Sequence, residues 1–119
     1  MTIEHTTHEI EGMKSETLAT LDLDPDAAGG VGRRLRMRLI TIGPGSRSSR
    51  IDHMNTAGIA YVVRGTITEH RDGSATEYAV GRAWSIDGDG ARWLENRGAI
   101  TAMKISVEVL DRTYHHPAE

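Results

Sequence analysis

A few side chains in this sequence have the types and spacing that chemistry needs. His53 is an imidazole that can take up and return a proton near neutral pH. Glu69 and His70 are adjacent, and neighbouring residues of an extended strand point to opposite sides, so only one of them can face a given site. Arg34, Arg36 and Arg38 alternate along one stretch, and Arg92 stands further on. A guanidinium stays charged and presents a fixed fork of donors to a carboxylate or phosphate. His115 and His116 in the tail could hold a metal weakly, although a solvated chain end is the ordinary reading of such a segment. The chain has no cysteine, which removes disulfides, thiolate metal sites and thiol nucleophiles together. No flavin or nicotinamide motif is visible, which disfavours redox chemistry.

The elements that must position these groups read as strands. Arg34-Leu35-Arg36-Met37-Arg38-Leu39 alternates charge and hydrophobe and passes into Ile40-Thr41-Ile42, a period of two that fits a strand and not a helix. Further strands are expected at Thr17 to Leu23, Ile51 to Asn55, Ile59 to Arg64, Thr66 to Arg71, Thr76 to Val80, Arg82 to Ile86, Arg92 to Glu95 and Ile100 to Leu110. Turn signals separate them, among them Gly65, Asp72-Gly73-Ser74, Gly81, Asp87-Gly88-Asp89-Gly90 and Asn96-Arg97-Gly98. Many short strands without a convincing helix argue for an antiparallel sandwich or barrel. Residues 1–33 read as an N-terminal arm, edge strand and linker, 34–112 as the barrel, and 113–119 as a tail.

With 119 residues there is room for one domain. Hydrophobic residues make up 38% and aromatics 4%, with no Phe, so the core must be built from aliphatic side chains around Trp84, Trp93, Tyr61 and Tyr78. So modest an apolar supply suggests a homodimer in which a partner covers a sheet face. A net charge of −3 gives no general attraction to nucleic acid or anionic lipid, and neither is expected as a partner. No apolar run approaches the length of a membrane span, and Met1 to Glu11 lacks the pattern of a signal peptide. A cytoplasmic protein is the expectation.

Two stretches resemble the paired motifs of the cupins in their spacing. The first runs from Gly45 through Ile51, His53 and Gly58 to Gly65, and the second from Gly81 through Asp87, Asp89 and Arg92 to Asn96. Pro44-Gly45, the phrase Tyr61-Val62-Val63-Arg64-Gly65 and the phrase Trp93-Leu94-Glu95-Asn96 strengthen the likeness to small single-domain bacterial cupins, which covers roughly Arg34 to Leu110. It implies an all-β fold, the cupin-type double-stranded β-helix or jelly-roll barrel. In cupins two His and a Glu of the first motif and a His of the second bind one divalent metal. Here Ile51, His53, Gly58 and Arg92 stand at those places. One imidazole does not hold a divalent ion against water, and an arginine repels it, so neither a metal nor another cofactor is expected.

The resemblance turns His53 toward the barrel interior as an acid/base, or as a buried histidine satisfied by a neighbour. Arg92 either takes over the metal's electrostatic task by binding an anionic group, or swings outward to pair with Glu95 or Asp89. Glu69 is a second acid/base candidate or a surface carboxylate. Arg36 and Arg38 line the cavity as anion contacts or form a solvated face. Tyr61, Trp84, Trp93 and Met103 pack the core or supply an apolar wall for a ligand. Lys104 alternates away from the apolar face of the last strand and is expected in solvent. The leading functional reading is a metal-independent enzyme doing acid/base chemistry on a small anionic molecule, of isomerase, cyclase, dehydratase or lyase type. The alternatives are a non-catalytic metabolite-binding module, and a metal site improvised from His53 with Asp52, Asn55 or Glu69.

Overall fold

The computed structural model describes residues 6–10, 12–24, 32–48, 51–52, 57–86 and 91–111. The alternating stretch around Arg36 forms β3 (Arg33–Ile42); β1 (Thr6–Ile10) lies in the stretch read as an arm or edge strand, and β2 (Met13–Asp22), β4 (Ile51–Asp52) and β5 (Ala57–Arg64) overlap segments expected as strands. They are followed by β6 (Thr66–Arg71), β7 (Ser74–Ala79), β8 (Ala83–Ile86), β9 (Ala91–Glu95) and β10 (Ala102–Asp111), with no helix among the described residues. All pairings are antiparallel, in a six-stranded sheet of order β1-β2-β3-β10-β5-β8 and a four-stranded sheet of order β4-β9-β6-β7. β5 and β6 are consecutive in sequence yet lie in different sheets, and the chain crosses at Gly65. There φ is +70°, and an added Cβ would lie 3.0 Å from Cα of Ala102, so only glycine makes this corner without strain.

Side chains from both sheets meet in one apolar cluster: Met13, Ile40, Ile42, Ala60, Val62, Trp84, Ile86 and Ala102 from the larger sheet, Ile67 and Leu94 from the smaller. Asn96, fully buried at the end of β9, ties the sheets at this level. Its Nδ2 donates to the carbonyls of Ile42 at 2.9 Å and Ile100 at 2.7 Å, and its Oδ1 accepts from the amide of Gly98 at 2.9 Å. The final residue of the second motif is thus a clamp between sheets.

The stretch read as arm, edge strand and linker contains a wall of the barrel. β2 pairs with β3 along its length, and Met13 and Ser15 are buried. The strand expected from Thr17 therefore starts at Met13, because tertiary pairing with β3 outweighs the weak apolar signal of Lys14, Ser15 and Glu16.

β10 and the first half of β3 are inverted relative to their apolar pattern. On β10 the buried positions are Ala102, Lys104, Ser106, Glu108 and Leu110, whereas Met103, Ile105, Val107 and Val109 are only half-buried and face outward. The expectation of a solvent-facing Lys104 is corrected accordingly. Register aligns Leu39, Ile105 and Tyr61 in one row of the outer face and Met37, Val107 and Ile59 in the next. Ile59 is 61% exposed, Tyr61 47% and Met37 40%.

Candidate functional site

Inside the barrel the polar groups come from strands whose alternation turns charge inward. Arg36 and Arg38 share a face of β3 with buried Ile40 and Ile42, so they point into the barrel. Glu108 of β10 meets both: its Oε1 accepts from Arg38 Nε at 3.1 Å and from Nη2, and its Oε2 lies 3.4 Å from Arg36 Nη2. Arg38 Nη1 donates to Ser15 Oγ at 3.3 Å. Four residues back along β10, Lys104 Nζ donates to Ser106 Oγ at 2.8 Å and lies 5.5 Å from the centre of the Trp84 ring. Tyr78 stacks on Trp84 with centroids 4.1 Å apart, leaving no room between the rings. Trp84 is thus held by a ring stack with Tyr78 and by the Lys104 ammonium over its π-face.

On the facing sheet, β6 and β9 are paired so that Glu69 lies opposite Leu94 and Arg71 opposite Arg92. Glu69 is 8% exposed and Arg92 2%. Arg92 Nη1 lies 3.8 Å from Glu69 Oε2, an ion pair longer than a hydrogen bond. The reading in which Arg92 swings outward is thereby corrected. Tyr78 belongs to the same environment. Burial, reinforced by the Glu69 carboxylate, raises its phenol above the ordinary range against the opposing pull of Arg82, Arg92 and Arg71.

His53 lies outside the described residues, as do Asn55, the Asp87 to Gly90 turn and the tail histidines His115 and His116. Of the residues read as an apolar wall for a ligand, Trp84 alone points inward. Tyr61 and Met103 belong to the outer face of the larger sheet. Trp93 sits between inward-facing Arg92 and Leu94 and therefore faces out, where it stacks on His70 with centroids 3.5 Å apart and parallel planes. His70 Nε2 is 2.9 Å from Glu95 Oε1, which also accepts from Arg97 Nε at 2.8 Å. These two contacts hold the Glu95 carboxyl below its ordinary range, the His70 hydrogen bond contributing most. Glu69 and His70 thus serve opposite faces of the smaller sheet.

The solvated-face reading of Arg36 and Arg38 is corrected, and their phase with Ile40 and Ile42 was the signal for it. Glu108, Lys104 and Ser106 were not anticipated as inward groups. Nothing in a single strand's alternation says that its polar side is the buried one.

The cupin fold implies a divalent metal, and the donor set does not fit it. Of the ligand positions only His53 keeps a donor side chain, Ile51, Gly58 and Arg92 having none for a cation. Among the described residues no three His, Asp or Glu side chains come together as a metal site would require.

Two antiparallel sheets closed in this order around inward side chains make the cupin jelly roll. The chain superposes on a predicted oxalate decarboxylase from Thermotoga maritima with a TM-score of 0.68 and 18% identity, over 92% of this chain and 99% of that one. It matches an RmlC-like cupin from Shewanella frigidimarina with a TM-score of 0.66 and 15% identity, over 92% of this chain and 87% of that one. It matches a sugar phosphate isomerase of the cupin superfamily from Silicibacter pomeroyi with a TM-score of 0.60 and 22% identity, over 86% of this chain and 60% of that one. At these identities the likeness is one of fold: this is a small cupin-fold domain. No family model and no curated protein matches it by sequence.

Proposed function

We propose that the barrel binds a small anionic organic molecule and carries out acid/base chemistry on it without a metal, as an isomerase, cyclase, dehydratase or lyase does. The observation that carries this reading is the buried pair of Arg92 and Glu69 on neighbouring inward-facing positions of β9 and β6. A permanent cation at 2% exposure is favourable only with negative charge nearby, and a 3.8 Å contact to Glu69 is a Coulombic one that an incoming carboxylate or phosphate can share. In the proposed site Arg92 holds the anionic group and steadies negative charge that develops on the substrate. Glu69 moves or relays a proton, and His53 is the second acid/base candidate. The cupin structures that this chain resembles include one named for decarboxylation and one for sugar phosphate isomerisation, which supports non-oxidative chemistry of this class.

The test is a thermal-shift screen with organic acids, sugar acids and sugar phosphates, followed by turnover assays on the compounds that stabilise the protein. Arg92→Met is expected to abolish the stabilisation. Glu69→Gln and His53→Ala are expected to keep ligand affinity within a few-fold and to cut turnover by about 100-fold or more. Binding with no turnover in the unaltered protein would instead make the domain a metabolite-binding module. The proposal includes a cytoplasmic homodimer joined through the apolar outer face of the larger sheet.

A further inference from the structure

β5 and β10 run so close together at Gly58 that no side chain fits there. A Cβ on Gly58 would lie 2.2 Å from the carbonyl oxygen of Val107 and 3.0 Å from both Cα and Cγ of Glu108. The nearest of these atoms is backbone and cannot swing aside. This is the position at which the resemblance to cupins places a metal-binding glutamate. A carboxylate is nevertheless present, supplied by the neighbouring strand. Glu108 faces Gly58 across the β5–β10 ladder, is 0% exposed, and runs its side chain through the volume that a side chain at position 58 would enter.

We propose that the Arg36–Glu108–Arg38 cluster replaces the metal-bound carboxylate, so that guanidinium groups supply the positive charge a divalent ion would otherwise bring and the barrel works without one. Each carboxylate oxygen is engaged by an arginine, Oε1 by Arg38 at 3.1 Å through Nε and Oε2 by Arg36 at 3.4 Å. Ser15 holds Arg38 in place from β2. A divalent ion approaching Glu108 would have to displace a guanidinium or sit a few Å from two permanent positive charges, and Arg92 adds a third on the facing sheet. The arrangement is also what a carboxylate at zero exposure requires, because a buried charge persists only when paired and hydrogen-bonded. Gly58 and Glu108 form one device: the missing side chain on β5 makes room for the long one on β10. This inference concerns the charge of the barrel and stands whether or not a reaction occurs there.

Metal analysis and thermal melting of the full untagged chain, purified without chelator, test it. The expected result is transition metal far below one equivalent, with a melting temperature unchanged by EDTA or by added Mn2+, Ni2+ or Zn2+. One bound equivalent whose removal by EDTA lowers the melting temperature overturns the proposal. Arg38→Met takes the closer of two guanidinium groups from a buried carboxylate and is expected to lower the melting temperature by roughly 10 °C or more. The double variant Arg38→Met with Glu108→Leu is expected to lose less than the losses of the two single variants added together, since both remove the same buried ion pair. Losses that simply add would overturn the coupling. If Arg38→Met fails to fold, the double variant and the metal analysis decide the matter between them.

Discussion

At the scale of single residues, the two sides of β6 and β9 divide the work. Inward, Glu69 and Arg92 form the buried ion pair on which the proposed chemistry rests. Outward, Trp93, His70, Glu95 and Arg97 make a stacked and hydrogen-bonded surface cluster. The Glu95 carboxyl is depressed below its reference value of 4.5, so folding favours its ionised form. Its stabilisation is therefore full above the unfolded value and is lost as the pH falls through the lower, folded one. Because the group is partly solvent-exposed, the contribution is at most about 1 kcal/mol. Melting temperatures measured between about pH 3 and 6 should fall less steeply for Glu95→Gln than for the unaltered chain. Parallel curves would show that the cluster contributes nothing through this carboxylate.

At the scale of elements, the sheets are joined where backbone polar groups would otherwise be stranded. Asn96 satisfies the carbonyls of Ile42 and Ile100, which belong to different segments of the chain, while fixing the turn at Gly98. Asn96→Ala leaves the buried Ile42 carbonyl without this donor and should cost roughly 1–3 kcal/mol in denaturant unfolding. A loss within about 0.5 kcal/mol would show that water replaces the clamp. Gly58 governs the opposite end of the same sheet, where β10 approaches β5 too closely for any Cβ. Gly58→Ala should destabilise by about 2 to 3 kcal/mol although it adds a single methyl group, because the obstruction is backbone.

At the scale of the whole molecule, the barrel holds charged groups as well as its apolar cluster within, and its larger sheet carries an apolar outer face. Met37, Ile59 and Tyr61 stand exposed there beside Leu39, Ile105 and Val107. Apolar area of this kind tends to be covered, and closed two-fold assembly is the commonest way. Light scattering after size exclusion should give twice the monomer mass, and Met37→Glu or Ile59→Glu should return the protein to monomer with its circular dichroism unchanged. A monomer at all concentrations for the unaltered chain would refute the dimer.

The residues that alternate, and hence those that share a side, could be read from the chain alone. So could the corners at Gly45, Gly65 and Gly81, most of the strand segments along the chain, and the absence of metal donors at positions 51, 58 and 92. Arg36 and Arg38 share a side with Ile40 and Ile42 by spacing alone, a phase that the reading of them beside Arg34 left unused. Which side of each strand turned inward was decided only when the sheets closed on each other. A period of two is unchanged when inside and outside are exchanged, and burial depends on what the facing strands supply. β10 shows this most clearly, its aliphatic side lying outward because Arg38, Gly58 and Ser15 make a polar lining possible on the other. The meeting of Glu108 with Gly58 arises from strands half the chain apart, and no local pattern encodes a contact of that range.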